Sequence, residues 1–242
     1  SPIEPHASMT ELDSNGRVII HTCTQVSSIL RERTALALGK KIRDIRVIRT
    51  TVGGGFGGKQ EPIYEILNAA MTIATGKPVK LELTREECLA CTRTRHASHF
   101  RLRTAIDKDG KILARELIGT NNGGAYASHG HNVLLSVAAQ FCLLYPTENL
   151  HFKGTTAYTN IPIAGAFRAY GIPQYAFAME SHIDHLARTV GKDPLDYRKE
   201  HMFRIDSPIL APHFSINTFG LPDIIKKCEE ALRPSSVFLP TH

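Results

Sequence analysis

Hydrophobic and polar positions along this chain switch repeatedly between a period of two and a period near 3.6, predicting strands that alternate with helices. Val18-Ile19-Ile20 is a β-branched run that follows the tight-turn pair Asn15-Gly16. Ser27 to Leu38 reads as a helix stopped by Gly39. Residues 45–52 read as a strand that runs straight into Gly53-Gly54-Gly55-Phe56-Gly57-Gly58. A helix over 61–74 follows, closed by Gly76 and Pro78, and then a short strand over 79–84. Phe100, Leu102, Thr104 and Ile106 alternate with Arg101, Arg103 and Ala105, which predicts a half-buried strand. Asp109-Gly110 turns it back into residues 112–120 as a hairpin. Residues 133–144 read as a buried helix and 150–158 as another strand.

The clearest helix starts near Pro173, where Tyr175, Met179, Ile183, Leu186 and Val190 share one face. Gly191 closes it, and Asp193-Pro194 supplies an N-cap and first-turn proline for the next helix. Residues 221–232 form a last amphipathic helix, and 234–242 have no periodicity. The hairpin makes an α+β or mixed α/β fold the expectation rather than a purely parallel sheet. The expected organisation is one domain over 1–233 and an irregular tail over 234–242.

Composition narrows the class. The 242 residues are 42% hydrophobic and 21% charged, which excludes disordered, collagen-like and coiled-coil chains. The longest apolar stretch, Val133 to Tyr145, is broken by Ser136 and Gln140 and is too short to span a bilayer. A net charge of +6 permits an anionic ligand without specifying one. The basic stretch from Arg31 to Arg49 is interleaved with apolar residues and carries no aromatic, so it reads as a solvated face or a contact for an acidic partner rather than a nucleic-acid site. Cys23, Cys88, Cys91, Cys142 and Cys228 are odd in number and scattered, which predicts reduced thiols and a cytoplasmic setting. No secretory signal is read at the start. Ser1-Pro2-Ile3-Glu4-Pro5-His6 reads as the interior of something longer, so a processed or truncated chain is expected.

Three segments are candidates for chemistry. The glycine run allows positive φ and close approach of a ligand to the backbone, and free N–H groups of the next helix suit an anion. Its spacing is neither GxGxxG nor the P-loop, because Lys59 is followed by Gln60. A glycine-rich loop without a ligand is the alternative. In Gly165 to Gly171, Arg168 is a forked donor, and Phe167 and Tyr170 can wall an aromatic pocket; a structural loop with a surface arginine is the alternative. Gly123-Gly124-Ala125-Tyr126 with Ser128-His129-Gly130-His131 reads either as a ligand-lining loop or as a flexible surface one. Cys88 and Cys91 have CxxC spacing without a second pair, and His182 and His185 lack a third ligand nearby; helical thiols and partly buried histidines are the preferred readings. No GxSxG motif is present.

Taken in order, Glu4-Pro5-His6-Ala7, Thr24-Gln25, Gly53 to Lys59, Arg95-His96, Gly124-Ala125-Tyr126, Tyr158-Thr159-Asn160, Ala166-Phe167-Arg168 and Asp193-Pro194-Leu195 resemble the molybdenum-cofactor subunit of the xanthine dehydrogenase/aldehyde oxidase family. The combination of GGGFGGK with AFRxYG carries most of the resemblance, which runs from about Glu4 to Phe203. It implies hydroxylation of an N-heterocycle or aldehyde with oxygen derived from water. It also implies molybdenum on a molybdopterin, expected in the cytosine dinucleotide form, with electrons leaving through iron–sulfur and FAD partner chains.

By position, the resemblance assigns Gln25, Gly55, Phe56, Gly57 and Arg168 to the cofactor, with Gln25, Phe56 and Arg168 around the molybdenum. It assigns Gln60, Ser136 and Tyr170 to the substrate. Gln60 stands where purine-oxidising members often carry Glu, and Ser136 where they carry Arg, which argues against a purine held by that charged pair; another heterocycle stays open. Gly165 to Gly171 contains no cysteine, which argues against carbon monoxide chemistry. The family's catalytic glutamate and second cofactor-binding half are expected downstream, so no catalytic base is expected within this chain. The expected function is therefore the first molybdopterin-binding half of a molybdenum hydroxylase, working with that second half. The alternatives are a non-catalytic fragment or assembly subunit, and, on charge alone, a nucleic-acid-binding module.

Overall fold

The computed structural model describes residues 2–205, 207 and 216–232. The chain divides into two compact units. The first takes the residues up to His99, Gly119–Val137 and Gly154–Tyr175; the second takes Phe100–Ile118, Ala138–Lys153 and the residues from Ala176 onward.

In the first unit a four-stranded sheet has the order β3-β2-β1-β4. Strands β1 (Ala7–Leu12) and β2 (Val18–Thr22) are antiparallel, with Ser8 opposite Thr22 and Leu12 opposite Val18. Their turn is fixed by Asp13, whose Oδ1 accepts from the backbone N–H groups of Asn15 and Arg17. Helix α1 (Ser27–Ala37) and a 3-10 turn at Ile42–Asp44 lead into β3 (Ile45–Arg49), which pairs parallel to β2. Helix α2 (Glu65–Thr75) leads to β4 (Val79–Glu82), antiparallel to β1.

Both helices pack on this sheet, and Val18, Ile20, Leu30, Ala35, Ile45 and Ala69 form the core between them. Burial of each full-sized aliphatic side chain there contributes about 1.5–3 kcal/mol. Helix α3 (Arg85–Cys91) starts at a capping box in which Thr84 and Glu87 satisfy each other's backbone N–H.

Strands β5 (Ala97–Ile106), β6 (Ile112–Gly124) and β7 (Leu150–Tyr158) form a second sheet in that order. Exposure alternates residue by residue along β5, as its sequence predicts. Helices α4 (Gly130–Leu143), α5 (Ile172–Thr189), α6 (Pro194–His201) and α7 (Leu221–Leu232) complete the fold. Tyr175, Met179 and Ile183 on α5 are fully buried. Asp193 caps α6 by accepting from the N–H groups of Leu195 and Asp196. In the second unit Arg115 is buried, stacks on Phe141 and donates to its carbonyl at 2.7 Å.

The mixed helix-and-sheet expectation holds, with differences in detail at several element ends. Strand β1 is additional to the sequence reading. Strand β3 stops at Arg49, three residues short of the predicted end. Helix α2 starts at Glu65 rather than residue 61, because the Glu65 carboxylate turns back to accept from Ile63 and Tyr64 N–H and Glu61 is held elsewhere. Strand β6 runs on to Gly124. The predicted tail over 234–242 lies outside the described residues. No helix among the described residues is long and apolar enough to cross a membrane.

Candidate functional site

The glycine loop between β3 and α2 is held from several sides within the first unit. Glu4 Oε2 accepts from Gly53 N–H at 2.8 Å and from Lys59 Nζ at 2.5 Å, and Lys59 is 3% exposed. Burial raises the Glu4 carboxyl, but the bonds from Lys59 and Gly53 and the Lys59 charge outweigh it and hold the group below its ordinary range. The buried His6 ring meets the Gly58 carbonyl at 3.1 Å, and Cys88 Sγ lies 3.6 Å from its other nitrogen. Burial lowers the His6 pKa and keeps the ring neutral, so its Nε2–H donates to Gly58.

Gln25 closes the loop from the side of β2. Its Oε1 accepts from Gly57 N–H at 3.0 Å and Lys59 N–H at 3.3 Å, and its own backbone N–H donates to the Lys59 carbonyl. The contact is so close that a Cβ at Gly55 would lie 2.3 Å from Gln25 Oε1. With Oε1 committed, the Nε2 amide is left as a donor with no protein partner among the described residues.

The segment Ala166 to Gly171 is the second wall. Phe56, Ala169 and Tyr170 all have positive φ, at 50°, 63° and 50°. Such conformations cost about 1–3 kcal/mol each and persist only where the surroundings enforce them. Arg95 is one enforcer: its guanidinium donates to the Arg168 carbonyl at 2.8 Å and to Gln174 Oε1 at 3.0 Å, and it stacks on Phe167. Arg168 is exposed and lies over the Phe56 ring, 5.7 Å from its centroid. Gln25, Gly55, Phe56, Gly57 and Arg168 are thus brought into one cluster. A cavity of about 230 Å³ opens between Phe56, Phe167, Arg95 and Cys88.

Gln60 lies one step along the loop, in a separate pocket with Ser128, His129 and Asn132. The Tyr170 hydroxyl lies 2.5 Å from Nδ1 of His129, one of the residues lining that pocket. Burial raises the Tyr170 pKa, so the hydroxyl keeps its proton. Ser136 is not brought to this group: its hydroxyl is spent on the Asn132 carbonyl of its own helix. Cys88 and Cys91 both sit on α3, and all five cysteines are free.

Sequence reasoning did not single out Glu61, Asn132 or the function of Arg95. Glu61 Oε2 accepts from Arg93 Nε at 2.5 Å and Ser128 Oγ at 2.7 Å. The positive φ of Ser128 marks the same loop. The run Ser128-His129-Gly130 was the available signal, and it did not tell a ligand-lining loop from a surface one.

The chain is 37% identical over 226 residues to the xanthine dehydrogenase molybdenum-binding subunit of Escherichia coli O157:H7, covering 93% of this chain and 30% of that one. It is 31% identical over 228 residues to the nicotinate dehydrogenase large molybdopterin subunit of Eubacterium barkeri, covering 94% of this chain and 54% of that one. The chain therefore spans only about a third to a half of these relatives. The solved aldehyde oxidoreductase from Desulfovibrio gigas matches with a TM-score of 0.90 and 29% identity, over 97% of this chain and 26% of that chain. Residues 1–202 match the family described as the molybdopterin cofactor-binding domain. With the glycine loop, Gln25 and the Arg168 segment in one cluster, the chain belongs to that family, in its xanthine dehydrogenase/aldehyde oxidase branch.

Proposed function

We propose that residues 1–233 are the first molybdopterin-binding half of a molybdenum hydroxylase acting on an N-heterocycle or an aldehyde. Gln25, Gly55, Phe56, Gly57 and Arg168 hold the cofactor in this reading, and Gln60 and Tyr170 face the substrate. The observation that carries it is the donor set left open where the two loops meet. Gln25 spends its oxygen on Gly57 and Lys59, which aims its amide N–H₂ away from the loop. The Arg168 guanidinium has a stacking partner in Phe56 but no carboxylate or carbonyl partner among the described residues. Those donors, with the N–H of Phe56, suit the oxygen atoms of an anionic pterin cofactor. The residues present therefore fit the group.

When bound, the molybdenum cofactor supplies two-electron oxidation with oxygen taken from water. The chain supplies orientation: Gln25 and Arg168 would hold the cofactor's oxygen atoms, and the contacts of Gln25 and Arg95 hold the two loops in their strained conformations. The proton-accepting group is assigned to the second cofactor-binding half, with electrons passing to iron–sulfur and FAD chains. The names of the relatives, a molybdenum-binding subunit and a large molybdopterin subunit, support this assembly. Five free thiols support a cytoplasmic setting.

The test is metal analysis and mass spectrometry of the complex purified from its native host. Molybdenum near one per chain, with co-purifying iron–sulfur and flavin chains, is the expected result. Absence of both would favour a non-catalytic fragment or assembly subunit.

A further inference from the structure

We infer that the basic face formed by α1, the 3-10 turn and β3 docks an acidic surface of the iron–sulfur chain that takes electrons from the cofactor. This rests on the molybdenum hydroxylase reading and names the surface that holds its electron acceptor. Residues 31–49 carry seven basic side chains against only Glu32 and Asp44, an excess of five in a chain whose net charge is +6. This one stretch therefore holds nearly all of the chain's charge imbalance.

The face is poor in internal partners. Arg31 is turned inward, donating through Nε to the Ile42 and Ile45 carbonyls. Asp44 accepts from the Lys41 backbone N–H and meets Arg43 at 3.9 Å, between two solvated side chains. Arg33, Lys40, Lys41, Arg46 and Arg49 have no carboxylate at ion-pair distance among the described residues, and all but the half-buried Lys40 are exposed. Like charges gathered on a surface repel one another, and an acidic partner removes that cost. Leu36 and Ile42 are exposed among these cations, so contact also buries apolar area. Charges on an edge strand guard against stray pairing, and β3 is at the edge of its sheet. That purpose covers Arg46 and Arg49, but Arg33, Lys40, Lys41 and Arg43 lie outside the strand.

The position of the face selects the partner. The chain runs from β3 directly into the glycine loop, and the last residue of β3, Arg49, lines a cleft of about 410 Å³ with Thr24 and Gln25. Gln25 is the side chain assigned to the cofactor, so a protein seated on β3 lies beside the group whose electrons must leave. Electron transfer through protein weakens steeply with distance, and an acceptor docked here keeps that distance short. Redox partners use small interfaces steered by charge, which is what this face offers. No aromatic residue stands in 31–49 to stack on bases, so an acidic protein fits the face better than a nucleic acid.

The experiment treats the purified native complex with a carbodiimide, which joins lysine amines to carboxylates in direct contact, and maps the links by mass spectrometry. Lys40 and Lys41 are expected to link to Asp or Glu of the iron–sulfur chain. The double variant Lys41→Glu/Arg43→Glu is then expected to weaken retention of that chain about tenfold at physiological salt, with molybdenum content unchanged. The control Lys226→Glu/Lys227→Glu makes the same change in charge on exposed residues of α7 and is expected to leave retention unchanged. Lysines 40 and 41 that stay unlinked, or link only to the FAD chain or the second cofactor-binding half, would overturn the inference, as would equal losses in both double variants. The cross-links are read on the unaltered protein, so a misfolded variant does not end the test. A complex without molybdenum that keeps the links sinks only the hydroxylase assignment. One with molybdenum and an iron–sulfur chain but no links sinks only the docking face, and one with no iron–sulfur chain sinks both.

Discussion

Gly57 and Ala166 lie backbone against backbone: a Cβ on Gly57 would fall 2.9 Å from both the carbonyl carbon and the carbonyl oxygen of Ala166. Gly57 also has φ of +93°, so two constraints act on one residue. Gly76, the C-cap of α2, has φ of +67° but open space around its missing side chain. Gly76→Ala is expected to cost about 1 kcal/mol, the strain of a left-handed alanine. Gly57→Ala adds a clash with main chain that has no rotamer to give way, and is expected to cost about 2–4 kcal/mol. Denaturant unfolding of the two variants compares them directly. Equal losses would mean that the two loops are not pressed together as described.

Acid is expected to loosen the glycine loop in two stages. Burial depresses His6 below its ordinary 6.5, so protons favour the unfolded chain. Its contribution is complete above about pH 6.5 and fades as pH falls toward the lowered folded value. Glu4 is depressed below its ordinary 4.5, so the Lys59 pair is intact above that pH and is lost on further acidification. Stability measured from pH 7 to pH 3 should fall through both windows. His6→Gln should flatten the upper one and Glu4→Gln the lower one, with Glu4→Gln also less stable at pH 7 because Lys59 is left buried without its partner. A Glu4→Gln variant with the wild-type acid profile would remove Glu4 from this account.

Legibility in the sequence followed the range of the forces involved. Helix α5 was readable because its buried face, Tyr175, Met179 and Ile183, is apolar at helical spacing. Strand β1 was not, because its fully inward positions are Ser8 and Thr10, polar residues that α2 accommodates: Asn68 bonds Ser8, and Thr72 bonds the Thr10 carbonyl. The glycine loop and the Arg168 segment stood out because positive φ and aromatic walls leave marks in composition. The pairs that hold them do not. Lys59 and Glu4 are 55 residues apart, Arg95 and Arg168 are 73 apart, and His129 and Tyr170 are 41 apart. Periodicity reports on neighbours one or two turns away and is silent at those separations.

Gln25 separates holding the loop from holding the cofactor. Its oxygen serves Gly57 and Lys59, while its amide nitrogen is the donor assigned to the cofactor. Gln25→Glu keeps an oxygen for both backbone N–H groups and removes the donor. Unfolding free energy is expected to stay within about 1 kcal/mol of wild type. Molybdenum content in the purified complex is expected to drop severalfold, since a carboxylate now faces an anionic group. Full retention of the metal would place the cofactor contact elsewhere.

Arg95 is the longest-reaching clamp on the second loop, and its geometry makes a sharp demand on residue type. One nitrogen reaches Gln174, the other reaches the Arg168 carbonyl, and the plane of the group stacks on Phe167. Lysine preserves the charge but has no fork and no planar face. Arg95→Lys is therefore expected to cost about 1–2 kcal/mol, the worth of one or two part-exposed hydrogen bonds. The local effect should exceed the global one. Tyr170 N–H donates to the Phe167 carbonyl at 2.7 Å inside the strained turn, and that turn relaxes once its anchor is gone. Amide hydrogen exchange at Ala169 and Tyr170 should accelerate by more than the global stability loss predicts, while amides of β2 follow the global value. Uniform acceleration across both segments would show that Arg95 supports the unit as a whole rather than the conformation that carries Arg168.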